Sequence, residues 1–191
     1  MINKNIIKWE KQGDKPWKHT IVERDKISIL KLEWNDCKMT IINVYIPNLK
    51  SNKAKIIKKL RDHLETQPEE NNLLVIGDFN FITDEQNRFP SHADDSNLTN
   101  RWNELEIHNE LVDGWRATHP NERQFTHAQV DNLERIDRIY ITKTFLGSCL
   151  EWTIESNWEL SDYQITTVRI TKHNTPYIDK GLWKLNEDII K

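Results

Sequence analysis

An aspartate and an asparagine two residues apart close an apolar run, where Gly77-Asp78-Phe79-Asn80 follows Leu73 to Ile76 directly. Side chains two apart on a strand point to one face, so Asp78 and Asn80 project together from the strand's C-terminal end. A carboxylate beside an amide can hold a phosphate, or a hard cation such as Mg²⁺ that takes oxygen ligands and keeps several waters. Gly, Asp and Asn are equally the residues of a tight turn. Taken alone, the four residues leave both readings open.

A second carboxylate lies in Arg135-Ile136-Asp137-Arg138-Ile139-Tyr140-Ile141. Strand alternation puts Asp137 on the face of Ile139 and Ile141, where an unpaired carboxylate is expensive. Asp137 therefore needs a partner, lies at a rim, or pairs with a neighbouring arginine. Leu160-Ser161-Asp162-Tyr163 precedes another apolar strand. Asn43-Val44-Tyr45-Ile46-Pro47-Asn48 puts a phenol at a strand end and an amide in the loop beyond it.

The elements that must position these residues follow from periodicity. Residues 2–26 read as a short strand and a loop, broken by Gly13 and Pro16. Ile27 to Glu33 alternates in period two, and Thr40 to Ile46 is β-branched and stops at Pro47, with Asn35-Asp36 as a hairpin turn between them. Ser51 can cap a helix whose stripe is Ile56, Ile57, Leu60 and Leu64. Leu73 to Ile76 suits a strand buried on both faces. Leu98, Trp102 and Leu105 are spaced for a second helix. Arg123 to Thr126, Arg135 to Ile141, Trp152 to Ile154 and Thr166 to Ile170 read as further strands. Strands outnumber the helices between them, which predicts a mixed α/β or α+β layered fold. From Lys172 the chain is polar and reads as a tail or linker.

Bulk properties set the class. The 191 residues suffice for one domain with a core. Eight tryptophans are too many for a disordered chain. The net charge of -3 lacks the global basic signature of a tight DNA binder, so any nucleic-acid contact must be local. Cys37 and Cys149, alone and far apart, point to a reducing compartment. No stretch approaches a membrane span and no targeting pattern follows Met1, so the expectation is a soluble intracellular protein, cytoplasmic or nuclear, with no membrane partner.

In order, Tyr-x-Pro-Asn, Gly-Asp-x-Asn, Arg-Ile-Asp-Arg and Ser-Asp resemble the motif series of the endonuclease/exonuclease/phosphatase superfamily, which includes DNase I, abasic-site endonucleases and LINE-type endonucleases. Leu111-Val112-Asp113-Gly114-Trp115-Arg116, with Pro120 and Phe125-Thr126, resembles the segment between the second and third motifs. Gly181-Leu182-Trp183-Lys184-Leu185-Asn186 resembles the linker that precedes a reverse transcriptase in non-LTR retrotransposons. The resemblance implies a sandwich of two mostly antiparallel sheets with flanking helices, DNase I-like, over residues 1–171, followed by a linker at 172–191. It also implies a Mg²⁺- or Mn²⁺-dependent phosphodiesterase acting on DNA, with a reverse transcriptase as covalent neighbour in the parent element. Position by position, Asp78 would orient or deprotonate the attacking water and Asn80 would place it. Tyr45 and Asn48 would contact the scissile phosphate, Asp162 would bind the metal, and Asp137 would pair with a histidine expected at position 163.

Two departures qualify that expectation. Tyr163 stands where the family has histidine, and a phenol stays neutral at ordinary pH and can donate only one hydrogen bond. The metal-binding glutamate that family members carry ahead of the tyrosine motif has no counterpart here. Glu10, Glu23 and Glu33 sit in other contexts and read as solvated surface, and the sequence reads as beginning inside the family's third strand, lacking the first ones. An impaired enzyme with weak metal binding, an inactive remnant that binds nucleic acid weakly, and a pseudoenzyme that binds protein through tryptophans such as Trp17 or Trp34 are the resulting alternatives. The seven histidines, including His119 and His127, read as loop residues, with His127 as the substitute for the missing imidazole.

Overall fold

The computed structural model describes residues 17–34, 37–66, 72–155 and 161–171. The chain opens with strand β1 (Trp17–Glu23), β2 (Ile27–Trp34) and β3 (Cys37–Tyr45), followed by helix α1 (Lys50–Glu65) and strand β4 (Leu73–Asp78). A 3-10 turn leads to the two-residue β5 (Arg88–Phe89), then α2 (Ser96–His108), β6 (Leu111–Asp113) and the short α3 (Gly114–Thr118). The hairpin of β7 (His127–Gln129) and β8 (Asn132–Glu134) precedes β9 (Asp137–Thr142), β10 (Cys149–Glu155) and β11 (Ile165–Ile170).

Six strands form one sheet in the order β1-β2-β3-β4-β9-β6. Only β3 and β4 run parallel, joined by the crossover helix α1 as parallel strands require. The alternating residues of β4 explain the layers. Leu73 and Val75 face a core shared with Ile56, Ile57 and Leu60 of α1 and Leu98, Trp102 and Leu105 of α2. Leu74, with Ile139 and Ile141 of β9, faces a second core with Trp115, Cys149 and Trp152, against which Ile76, Val168 and Ile170 also pack. The β10–β11 pair thus covers the face opposite α1 and α2, with α3 on its own side, and the architecture is mixed α/β: this two-sheet sandwich with flanking helices and a small third sheet in the order β5-β8-β7. Ile56, Ile57 and Leu60 of the first stripe and Leu98, Trp102 and Leu105 of the second are buried, and Leu64 is half-buried against the same core. Among the described residues no helix is long and apolar enough to cross a membrane.

Four local readings change. Within residues 2–26, read as a short strand and then a loop, the segment after Pro16 forms β1 because it completes a ladder with β2. Helix α1 starts at Lys50 with Leu49 as its cap and no side-chain cap bond, so Ser51 lies inside the first turn. Arg123 to Thr126 is not a strand. Its groups are held individually, Arg123 Nη2 donating to Arg88 O and Thr126 N to Glu134 O, and the strand begins at His127. His127 is accordingly a strand residue and not a loop residue. The turn at Asn35-Asp36 and the tail from Lys172 lie outside the described residues. Glu23 and Glu33 each pair with a lysine, Lys59 and Lys38.

Candidate active site

Three of the singled-out residues share one rung of the main sheet. Tyr45 at the end of β3 is opposite Asp78 at the end of β4, and Asp78 is opposite Asp137 at the start of β9. Period two puts Asp78 on the face of Leu74 and Ile76, and Asp137 on that of Ile139 and Ile141, so both point toward the β10–β11 side of the sheet rim. Lys26 Nζ lies 4.1 Å above the Tyr45 ring, and Tyr45 N donates to Lys26 O at 2.8 Å, tying the β1–β2 turn to the same rim.

Gly77 makes the approach of β3 and β4 possible. Its φ is +140°, and a Cβ there would lie 1.9 Å from Val44 O, a backbone atom that cannot step aside. Beyond Asp78 the chain turns. Asn80 takes φ 53°, a left-handed conformation that asparagine tolerates. Its backbone N donates to Asp78 Oδ1 at 2.9 Å, and its Nδ2 donates at 2.9 Å both to Asp78 Oδ2 and to Ile46 O. Asp78 and Asn80 therefore meet through an Asx-type turn and not through strand alternation, so the turn and the functional reading of this motif are one structure. Lys53 Nζ donates to Asn80 O from behind.

The last motif reaches the rim through a different partner. Ala128 N donates to Asp162 O at 2.9 Å, Gln164 N donates to Thr126 O at 2.7 Å, and His127 and Tyr163 form a β-bridge between them. Thr126 also ties this segment to β9, because its Oγ1 accepts from Ile136 N at 3.1 Å and Asp137 N at 3.0 Å. The His127 and Tyr163 rings lie 4.6 Å apart, and His127 Nε2 is 4.0 Å from Asp162 Oδ2. Thr126 is the position at this rim that the spacing of the motifs does not single out; the Phe125-Thr126 pair marks the segment in the sequence and is silent about its contacts.

The electrostatics separate these groups from ordinary surface. Burial pushes the Asp137 carboxyl up to about 6, with the neighbouring Asp78 charge adding to it and hydrogen bonding from Thr126 opposing it. Burial likewise raises Asp78, against the hydrogen bonds from Asn80. The Tyr163 phenol is raised, first by burial and then by the charges of Asp78, Asp137 and Asp162. Asp137 Oδ2 is buried without a hydrogen-bond partner among the described residues. Neither arginine beside it forms an ion pair with it there. Arg135 is bound to Asp113, and the Arg138 guanidinium lies over Phe79, Phe81 and Tyr140 on the opposite face.

Tyr45, Asp78, Asn80 and Asp137 thus stand together, with Tyr163 and Asp162 alongside. Asp162 is the most open, its side chain 66% exposed. Asn48 is exposed in the loop past Pro47, and none of the hydrogen bonds described above reaches it. Among the described residues no group of three or more His, Cys, Asp or Glu is arranged to hold a metal ion. Each Asp78 oxygen accepts one hydrogen bond from Asn80 and keeps acceptor capacity, and the Asp162 carboxylate is open to solvent. What the rim offers is two carboxylates with raised proton affinity, an amide that fixes one of them, and two phenolic donors. That set suits proton transfer from a nucleophile and hydrogen bonding to an anionic oxygen.

No protein-family model matches the chain. It is 30% identical over 157 residues to the transposon TX1 uncharacterized 149 kDa protein of Xenopus laevis, an alignment that covers 79% of this chain and 12% of that protein. An AP endonuclease from Archaeoglobus fulgidus superposes with a TM-score of 0.63 at 17% identity, covering 76% of this chain and 65% of that one. The endonuclease domain of TRAS1, a telomere-specific non-LTR retrotransposon, gives 0.64 at 13% identity, covering 81% and 67%. The chain thus spans about an eighth of the transposon protein and about two thirds of these two solved structures. The chain thus has a DNase I-like fold, shared with these endonucleases, and is similar in sequence to part of a transposon protein.

Proposed function

We propose that the chain is a phosphodiester-cleaving DNA endonuclease domain of retrotransposon type, impaired by the phenol at position 163. The observation that carries this is the single rung of Tyr45, Asp78 and Asp137, with the Asp162-Tyr163 segment pinned alongside it. Asp78, held by Asn80, keeps lone pairs free to accept a proton from water. The water oxygen attacks phosphorus, the bond to the leaving ester oxygen breaks, and solvent protonates that oxygen. Tyr45, and Asn48 from its loop, donate to the phosphoryl oxygens on which charge builds. Sensitivity of cleavage to EDTA tests the Mg²⁺ requirement that the resemblance implies. A reverse transcriptase as covalent neighbour belongs to the same proposal and rests on the linker-like segment from Gly181, outside the described residues.

A second reading, a non-catalytic relative that binds nucleic acid or protein, is favoured by Tyr163, since losing an acid–base imidazole costs ~10²–10⁴ in rate. Nicking of supercoiled plasmid separates the two. The wild type is expected to nick slowly and in an EDTA-sensitive manner, Asp78→Ala to abolish the cleavage, and Tyr163→His to raise it. Absence of EDTA-sensitive cleavage from the wild type and from Tyr163→His would establish the second reading. Cleavage that survives Asp78→Ala would remove Asp78 from the chemistry.

A further inference from the structure

His127 is the histidine that the fold carries to the rim, and nothing in its local sequence requires one there. Its side chain is only 15% exposed, packed on the Tyr163 ring, with Nε2 on the Asp162 side. Nδ1 is buried and has no hydrogen-bond partner among the described residues, and Asp137 Oδ2 is in the same condition. A buried polar atom without a partner costs about 1–3 kcal/mol, so two of complementary kind at one rim call for an explanation. Asp137 N donates to Thr126 Oγ1 at 3.0 Å, which brings the residue that precedes His127 against Asp137. The carboxylates of Asp78, Asp137 and Asp162 repel a phosphodiester unless donors at the same rim face it.

We propose that His127 supplies the imidazole of this site, its Nε2 donating a hydrogen bond to a non-bridging oxygen of the bound phosphodiester, with Asp137 as the positioning residue that engages Nδ1. The inference rests on the reading of the rim as a phosphodiester site. Asp137 then acts through His127: when Nδ1–H is held by the carboxylate, ring orientation and tautomer are fixed. His127 comes from β7, and so reaches the phosphate from the side of the hairpin and not from the segment before β11.

The test uses the full chain with ¹⁵N-labelled histidine and backbone, and as probe the dinucleoside monophosphate thymidylyl-(3′→5′)-thymidine, with free thymidine as control. The His127 ring nitrogens and the Tyr45 amide are expected to shift saturably with the probe and not with thymidine. Asp137→Asn is expected to change the tautomer reported by the probe-bound His127 ring, which a merely structural role would leave alone. His127→Phe, which keeps the ring contact with Tyr163, is expected to weaken the probe ~10-fold or more, the scale of a hydrogen bond to a charged group, and His127→Gln to retain part of the affinity. A Tyr45 response with an unmoved His127 ring would overturn this inference and leave the phosphodiester site standing. Silence at both positions would overturn the site reading and this inference together.

Discussion

Arg135 and Asp137 are two residues apart on the chain and both are largely withdrawn from water, yet their surroundings differ in kind. Arg135 is 1% exposed and fully engaged: Nη1 and Nη2 donate to Asp113 at 3.2 and 2.5 Å, and Nε donates to Asn87 Oδ1 at 3.0 Å. Arg88 is held in the same way between Asp94 and Glu134. Asp137 faces a like charge at Asp78, forms no ion pair with either neighbouring arginine, and keeps one oxygen without a partner. A buried charge with all its bonds made locks β5, β6 and the loop before β9 into register. One left short of bonds holds free energy in reserve for something that arrives from outside. Between these two residues the difference is one of satisfaction rather than of burial, since both lie within the same short stretch of chain.

The comparison breaks most visibly if the satisfied side is cut. Arg135→Ala leaves Asp113 buried without its cation, and a loss of about 3–5 kcal/mol is expected in urea unfolding, as for other broken buried pairs. A loss below 1 kcal/mol would show that the network is ornamental and that the contrast with Asp137 means little.

On the unsatisfied side the sign reverses. A carboxyl held at about 6 in the folded chain and near its ordinary value when unfolded binds its proton more tightly in the native state. Its contribution to stability is fully present below pH ~4 and is lost as pH rises through ~6. The gap corresponds to roughly 3 kcal/mol. Asp137→Asn is therefore expected to raise stability at pH 7 by up to about that amount and to flatten the stability profile between pH 4 and 6. A destabilised Asp137→Asn would mean that the carboxylate is a scaffold group like Asp113.

The smallest effect belongs to charges that are neither buried nor poised. Lys58 and Asp62 form an exposed i,i+4 pair at 2.6 Å on α1. Lys58→Ala is expected to cost only about 0.3–0.5 kcal/mol in the same unfolding measurement, with less at high salt. A larger change would place Lys58 in a contact beyond the pair.

Local periodicity made the scaffold legible where one element's own residues decide its burial. Ile56, Ile57 and Leu60 lie on one stripe of α1, and Leu73 to Val75 alternates between the two cores, because the 3.6- and two-residue repeats are geometric properties of helix and strand. The reading failed where a segment's backbone is satisfied at a distance. Thr126 has neither a strand partner of its own residue type nor a cap motif to announce it, and its hydroxyl serves two backbone N–H groups ten and eleven residues away.

The sequence by itself determined the order of the elements, the glycine before Asp78 and the identity of each candidate group, since composition and spacing are local. That Tyr45, Asp78 and Asp137 share a rung was decided by tertiary structure. It depends on the parallel pairing of β3 with β4 and on β9 entering antiparallel beside them, registers set by packing between residues dozens of positions apart. The same holds for His127. Its place beside Tyr163 comes from backbone bonds between Thr126–Ala128 and Asp162–Gln164, and closing so long a loop leaves no mark on the residues at either end.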